Sequence, residues 1–328
     1  MSRPDRAFSL VWAAQAVSAF GSEISGLALP LFAVQALGAG PVEMGWLGAA
    51  GTLPFLLFAL PAGAWVDRGR RRPVLVAADL ARAALIASVP LAAAWGVASF
   101  AWLWAVTFLA GVGTVFFDVA DQSFLPRVVP RDRLVVANAR LQATASLAGI
   151  AGPGLAGVLV QALSAPLAVL LDALSFLASA ALLGTLRVPE PPGEARAGRG
   201  SLWPEVREGL AVVAGHRALR AIVAATATSN LFSGAFGAVF VLFATRSLGL
   251  TPAALGFVFA AGSVGGLLGA LLAGRVAARL GTGVALRASL GVGGLAAFLV
   301  PLAGGPVPLV LVLLAAQGVL RAMGSVVY

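Results

Sequence analysis

The stretch GAWVDRGRRRP, residues 63–73, decides the fold of this chain. It places four arginines and one aspartate between two long apolar stretches, residues 41–66 and 73–96. Charged side chains are costly to place in hydrocarbon, whereas each flanking stretch is long enough to cross a membrane as a helix. We therefore expect a tight, charged loop at a membrane surface, joining two transmembrane helices.

The composition of the whole chain agrees with a membrane location. Of its 328 residues, 60% are hydrophobic and 11% are charged, and the mean hydropathy is +0.97. Soluble domains have about 25% charged residues. The chain has no cysteine, a single histidine and 22 basic residues that are all arginine. These counts exclude thiolate sites, His-rich metal sites and P-loop lysine chemistry, so we expect no metal and no cofactor.

Apolar stretches of about 20 residues recur along the chain, as expected of a polytopic helical membrane protein. A polar segment, residues 187–217, separates a first half, residues 1–186, from a second half, residues 218–328. The segment begins as a Pro- and Gly-rich linker and becomes an amphipathic helix from Ser201. The predicted transmembrane helices are residues 8–37, 42–66, 74–95, 100–119, 138–163, 166–186, 219–248, 252–277, 284–302, and a last one that starts near 306.

The arginines lie mainly in alternate loops between the apolar stretches. Arginine-rich loops stay in the cytoplasm, so we expect an N-terminus inside the cell (cytoplasmic) membrane. The same placement argues against nucleic acid as a partner, although the net charge is +9. The arginine-rich side holds Arg3, Arg6, residues 68–72, Arg127, Arg131, Arg133, residues 187–220, Arg275, Arg279 and Arg287; the other side holds Glu43 and Arg246.

The two halves share an internal repeat in which small residues recur 211 positions apart (256 − 45). Six helices separate equivalent positions, so both halves keep the same orientation, as in a parallel repeat about the membrane normal. At this offset Asp67 is replaced by Ala278, so only the first half carries the full charged loop. The matching pairs include Gly45 with Gly256, Gly51 with Gly262, Gly63 with Gly274, Arg68 with Arg279, Ser18 with Ser229, and Ser22 with Ser233.

The charged loop resembles the loop signature of the major facilitator superfamily, in the form found in its macrolide-efflux and enterobactin-exporter branch. The matching loop residues are Gly63, Asp67, Arg68, Arg71 and Arg72. The fifth helix carries Ala148, Gly152, Pro153, Ala156 and Gly157 in a pattern similar to the family's antiporter signature, with alanine at two glycine positions. The resemblance implies a fold of two six-helix halves. Because about ten of the twelve helices are present, we expect an incomplete second half and a C-terminal truncation.

The resemblance also implies roles for the loop. Asp67 would accept hydrogen bonds from the N-terminus of a helix in the opposite half and latch one conformational state. Arg71 or Arg72 would pair with an acid at the base of the fourth helix, either Asp118 or Asp121. The plainer alternative is that the arginines only set topology, and for Arg70 we favour it. For the fifth helix, the resemblance implies that Gly152, Pro153 and Gly157 set exchange direction and limit leak.

Ionisable side chains inside the helices are further candidates, because each is costly to bury without a partner. Glu23 lies near the middle of the first helix, and Asp172 lies in the sixth. We expect Glu23 to exchange a proton as access alternates, with a structural acid as the alternative; for Asp172 a structural pairing is at least as well supported. Asp79 and Arg82, three residues apart in the third helix, are expected to pair.

Polar stripes at helical spacing are expected to line a central cavity. One stripe, on the first helix, holds Gln15, Ser18, Ser22 and Gly26. The other, on the seventh helix, holds Thr226, Asn230, Ser233 and Gly237. Phe232, Phe236 and Phe240 follow every fourth residue and are expected in packing or lipid contact.

Together these features predict an all-α transporter of the major facilitator fold. We expect proton-coupled efflux of a small amphipathic or lipophilic compound, by a monomer whose partners are that compound, protons and the lipid bilayer. No ATP-binding motif is present in the sequence, so a proton gradient is the expected driving force. The alternatives are a membrane-embedded lipid-modifying enzyme and a truncated remnant that does not transport.

Overall fold

The computed structural model of the chain describes residues 3–186, 188, 207, 211–212, 214–281, 284, 291, 295 and 307–325. Within these residues every regular element is a helix, as predicted. The predicted ninth helix, at 284–302, and the predicted surface helix that starts at Ser201 lie almost entirely outside the described residues.

Nine α-helices are described, and the last of them corresponds to the tenth predicted span. Seven described segments are long and apolar enough to cross a membrane. A short 3₁₀ turn, Arg131–Arg133, precedes α5. The helices are α1 (Arg3–Gln35), α2 (Pro41–Arg68), α3 (Arg71–Ala94), α4 (Phe100–Val128), α5 (Leu134–Ala162), α6 (Ala165–Gly184), α7 (Arg217–Arg246), α8 (Pro252–Leu280) and α9 (Val307–Ser325).

Local chemistry explains where several helices begin and end. The Ser99 hydroxyl accepts a hydrogen bond from the Trp102 amide at 3.2 Å and caps the start of α4. At the start of α2, the Gly40 amide donates to Oε2 of Glu43 at 3.0 Å. Gly96, with φ +68°, follows α3 in a conformation that favours glycine.

Helix α4 extends nine residues beyond its predicted end, to Val128. The hydropathy pattern placed that end at 119 because Asp118 and Asp121 interrupt the apolar run. In the structure both carboxyl groups are on the partly buried side of α4, and the helix continues through Phe124 and Leu125, which are buried. Charge therefore marked a polar site within the helix, not its end.

The first six helices form one bundle. Helix α1 packs against α5 and α6, helix α3 packs against α4 and α6, and α2 packs against α4. The side chain of Pro54 in α2 rests on Gly111 of α4, where a Cβ would approach the proline ring to 2.8 Å. Small residues at such crossings let membrane helices approach closely, because lipid supplies little hydrophobic driving force between them.

Two hydrophobic clusters lie at opposite ends of the molecule. One lies at the arginine-rich end, the end that carries residues 70–72, Arg127, Arg131 and Arg133. Its described buried members, such as Val11, Leu75 and Phe124, all come from the first 186 residues. The other lies at the far end and combines first-half residues with Phe240 in α7, Leu255 in α8 and Leu314 in α9. In the described part of the chain, the halves therefore share a core only at the far end.

The halves meet chiefly where α5 packs against α8 and α2 packs against α7, with a smaller contact between α1 and α7. Helix α8 in turn packs against α9, with Gly262 and Gly318 at the crossing. At the arginine-rich end of α5, Val135 is 80% exposed and Val136 is 57% exposed, whereas Ala137 is buried. The described side-chain contacts between α5 and α8 thus lie toward the far end.

Candidate functional site

A layer of buried polar side chains lies between the two hydrophobic clusters, at mid-depth in the first-half bundle. On α3, Leu75 and Ala78 belong to one cluster and Ala83 to the other, with Asp79 and Arg82 between them. Polar groups at this depth are costly unless paired, so their arrangement is informative. The buried polar residues of the layer are Ser18, Ser25, Asp79, Arg82, Asp172, Ser175 and Ser179.

Glu23 lies where α1 crosses α5. A methyl group built on Gly152 would overlap Cβ and Cγ of Glu23, and one built on Gly149 would lie 3.9 Å from its Oε1. Gly149 and Gly152 therefore form a notch that receives the Glu23 side chain. The carboxylate is half-buried, so it can meet both water and the interior of the bundle. Gly152 is also a residue of the α5 motif, which connects two features that the sequence predicted separately.

The other face of the α5 motif contacts the second half. A Cβ on Gly157 would collide with the backbone of α8 at Pro252, Ala253 and Gly256. The Ala253 amide also donates to the side-chain oxygen of Gln161 at 3.2 Å. Helix α5 thus touches Glu23 through one set of glycines and the second half through another.

The α1 stripe is split between different surroundings. Gln15 donates a hydrogen bond from Nε2 to Oδ1 of Asp121 and so ties α1 to α4. Ser18 is buried, with 6% of its surface exposed, whereas Ser22 is exposed. Only Ser22 among these three presents an open surface in this conformation.

Arg82 is the centre of a buried ionic cluster formed by Asp79, Arg82, Asp118 and Asp172, here called the Arg82 cluster. Arg82, 3% exposed, forms an ion pair with Oδ1 of Asp79, which is fully buried. Asp118 of α4 and Asp172 of α6 are close enough for their charges to act on the guanidinium. Three helices therefore direct carboxyl groups at one cation.

Aromatic rings and small residues complete the pocket around Arg82. The guanidinium lies 4.4 Å from the ring centroid of Phe117 and 4.3 Å from that of Phe176. Desolvated cation–π contacts of this kind contribute about 2 kcal/mol. The Arg82 side chain rests on Gly113, where a Cβ would lie 2.9 Å from its Cγ.

Asp172 faces α1 as well as Arg82. It accepts a hydrogen bond from the Ser175 hydroxyl at 3.1 Å, and Gly21 of α1 packs directly against both side chains. Asp172 is 2% exposed. The geometry places it inside the first-half bundle and not on the open surface that Ser22 occupies.

The charged loop makes contacts that its sequence did not indicate. Arg71 donates to the Gly69 carbonyl at 3.0 Å. Arg72 donates to the carbonyls of Leu183, at 2.9 Å, and Gly184 at the C-terminus of α6, where a cation is favoured by the helix dipole. Asp118 lies near Arg82 and Asp121 bonds Gln15. The pairing of Arg71 or Arg72 with these acids stays a prediction.

Several predicted site residues lie beyond what the structure describes. The side chains of Asp67, Arg68, Thr226, Asn230 and Ser233 are outside the described set, although their backbones are helical. A Cβ on Gly63 would meet no described atom within 4 Å.

The phenylalanines of α7 differ in how deeply they are buried. Phe240 is buried and stacks on Phe236, with 5.1 Å between ring centroids, and meets Phe259 edge-on. Phe232 is exposed. The packing role expected for this row therefore holds at its far end.

The fold is that of a two-part helical membrane carrier with its first half complete in the described residues. The chain belongs to the Major Facilitator Superfamily, whose profile matches residues 11–328. This is a family of transporters and not of enzymes.

Relatives agree with the predicted branch. The chain is 33% identical over 314 residues to the multidrug efflux pump Tap of Mycolicibacterium fortuitum, covering 91% of this chain and 74% of that protein. It is 24% identical to macrolide efflux protein A of Streptococcus pyogenes, covering 81% of this chain and 66% of that protein. The predicted resemblance to macrolide-efflux transporters is thereby confirmed.

The fold also matches a solved structure. A bacterial homologue of the human lysosomal transporter Spinster, in an inward-facing and unoccupied conformation, superposes with a TM-score of 0.74 at 15% identity. The match covers 100% of this chain and 74% of that one. It supports the predicted all-helical fold.

Sequence reasoning missed the convergence on Arg82. The spacing of Asp79 and Arg82 predicted their pair, but Asp118 was expected as one of two candidate partners for Arg71 or Arg72, and Asp172 was treated separately. Charged residues in the apolar parts of α3, α4 and α6 were the available signal. Their mutual distances depend on how the three helices pack.

Proposed function

We propose that the protein is a proton-coupled exporter of a small amphipathic or lipophilic compound, working by alternating access in the cell membrane. The observation that carries the proposal is the position of Glu23, a half-buried carboxylate held in the glycine notch of the helix that also contacts the second half. The names of relatives, macrolide efflux protein and multidrug efflux pump, support export of such compounds.

The proposed orientation places the arginine-rich end in the cytoplasm. The described helices then form a carrier open to the cytoplasm and closed toward the outside, where α5 meets α8. A substrate would enter from the open end and meet Ser22 and Glu23. The other proposed lining residues are Gln15, Ser18, Thr226, Asn230 and Ser233. Ser18 is buried and would become accessible only after rearrangement.

Glu23 would bind and release the proton that is exchanged for the substrate. A proton that moves inward releases about 2.3 kcal/mol of free energy per 100 mV of membrane potential, enough to drive export against a gradient. When Glu23 takes up a proton, its side chain loses charge beside Gly149 and Gly152, and the α1–α5 contact changes. Because Gly157 on the same helix contacts α8, a shift of α5 would reach the interface between the halves.

The loop residues Gly63, Asp67, Arg68, Arg71 and Arg72 would latch the halves at the cytoplasmic end in the alternate state. Asp118 and Asp121 are the proposed acids beneath the latch. The contact of Arg72 with the C-terminus of α6 supports a loop held in a defined position. We propose that the unit of transport is a monomer.

Replacement of Glu23 by Gln tests the proposal. In inverted vesicles that contain the full-length protein, we expect Glu23→Gln to lower the rate of substrate-driven proton release at least about tenfold. Substrate binding should be retained. The matched control is Glu43→Gln, at the far-end surface of α2, where glutamine can still accept the Gly40 hydrogen bond. Wild-type proton exchange in the Glu23→Gln protein would contradict the coupling role.

A further inference from the structure

The Arg82 cluster contains more acids than bases. Arg82 is its only cation in the part of the chain that the structure describes, and it already forms an ion pair with Asp79. Glu23, on the opposite side of α1, faces α5. The charged groups of α2 lie near its ends, at residues 43, 67 and 68. The acids that face Arg82 or one another across the packed helices are Asp79 of α3, Asp118 and Asp121 of α4, and Asp172 of α6.

Uncompensated carboxylates are not stable in such surroundings. Repulsion between like charges is weakly screened away from water, and a buried carboxylate without a counter-ion takes up a proton. Asp79 is matched by Arg82, and Asp121 is hydrogen-bonded to Gln15. Asp118 is only partly buried and can meet water, whereas Asp172 is 2% exposed and has no cation of its own among the described residues.

Unused hydrogen-bonding groups show where the proton would be held. The hydroxyl of Ser25, 5% exposed, lies beside Asp172 but makes no hydrogen bond of normal geometry with any described residue. Ser175 already donates to Oδ1 of Asp172. A protonated carboxyl group needs an acceptor for its O–H, and the Ser25 oxygen is available to accept it.

We propose that Asp172 is a proton-binding site in the interior of the first half. In the protonated form its Oδ2–H donates to the Ser25 hydroxyl oxygen, and Arg82 stays in its ion pair with Asp79. When the proton leaves to water, the Asp172 carboxylate becomes a second anion for Arg82. The O–H bond is the only bond that breaks, so the step needs no other reactant.

This site lies across α1 from Glu23. Gly21 and Ser25, four residues apart on one face of α1, contact or neighbour Asp172, while Glu23 faces α5. A change of charge at Asp172 alters the contact between α1 and α6, and a change at Glu23 alters the contact between α1 and α5. The role of Asp172 in transport rests on the proposed proton coupling, but the presence of the proton does not.

Infrared spectroscopy tests the site directly. In the purified full-length protein in lipid, at neutral pH, we expect a protonated-carboxyl C=O stretching band that disappears in Asp172→Asn. The matched control Asp132→Asn removes an exposed carboxylate, so the band should persist. Ser25→Ala should shift the band without removing it, whereas Ser22→Ala, on an exposed face, should not.

The outcomes separate this inference from the proposed function. A band that is unchanged in both Asp172→Asn and Ser25→Ala overturns the assignment, even if Glu23-dependent proton exchange is intact. A band that depends on Asp172 and Ser25 supports the site, even if the wild-type protein moves no protons. If Asp172→Asn is poorly folded, the shift in Ser25→Ala still decides.

Discussion

At the residue scale, Arg82 shows how a single cation can organise a membrane bundle. It contacts Asp79 as an ion pair and lies between the rings of Phe117 and Phe176. Its aliphatic part passes over Gly113, which has no side chain to obstruct it. Removing one partner of a buried ion pair leaves the other charge uncompensated, which costs more than the pair contributes.

Arg82→Met should therefore destabilise the protein strongly. We expect a loss of about 3–5 kcal/mol in unfolding free energy, because Asp79 would stay buried without its cation. Denaturant unfolding in detergent, followed by tryptophan fluorescence, measures the change. Arg246→Met, at the exposed end of α7, is the control and should have little effect. Equal stability of the two variants would show that Arg82 does not compensate Asp79.

At the scale of the element, α5 makes two close contacts through its glycines. Gly152 receives Glu23, and Gly157 meets the backbone of α8. Gly154, between them, faces only the Ala260 side chain, where a Cβ would make ordinary contact at 3.8 Å. The three glycines lie on the same helix, yet only Gly154 has room for a methyl group.

This difference yields a matched pair of variants. Gly152→Ala should displace Glu23 and lower proton-driven export at least about tenfold, whereas Gly154→Ala should keep export near the wild-type level. Export measured in vesicles at several external pH values checks both, and the pH profile should change only in Gly152→Ala. A Gly152→Ala protein with a wild-type pH profile would show that the notch does not position Glu23.

At the scale of the whole molecule, the two hydrophobic clusters define the conformation. The far-end cluster includes residues of both halves, whereas the described members of the cluster at the arginine-rich end come from the first half. The proposed alternating access requires the opposite arrangement at another point of the cycle, so contacts between α5 and α8 at the two ends should form at different times.

The absence of cysteine from the sequence permits a crosslinking test of this arrangement. We expect a Gln161→Cys/Ala253→Cys pair, at the far end, to crosslink rapidly in the resting protein and to arrest transport. A Val136→Cys/Ala278→Cys pair, on exposed positions at the arginine-rich end, should crosslink slowly. Gel mobility after treatment with a short bis-thiol reagent reports both rates. Faster crosslinking at the arginine-rich end than at the far end would contradict a conformation that is open at the arginine-rich end.

The sequence alone determined that this is a polytopic helical membrane protein, because hydropathy and charge placement depend on residue type and not on contacts. The resemblance of the charged loop at 63–73 and of the α5 glycines to family motifs, together with the parallel repeat, then predicted a two-part helical transporter. Glu23 was predicted from the sequence as well, since an acid in a long apolar run is conspicuous wherever its helix packs.

Only the tertiary structure decided which of these residues meet. Asp118 was expected as one of two candidate partners for Arg71 or Arg72, and that pairing stays a prediction. Packing adds that Asp118 lies near Arg82 and that Arg72 contacts the end of α6. Gly152 and Glu23 are 129 positions apart, and nothing in their spacing showed that one receives the other. The physical reason is that helix spacing defines neighbours within a helix, whereas contacts between helices depend on how their faces pack.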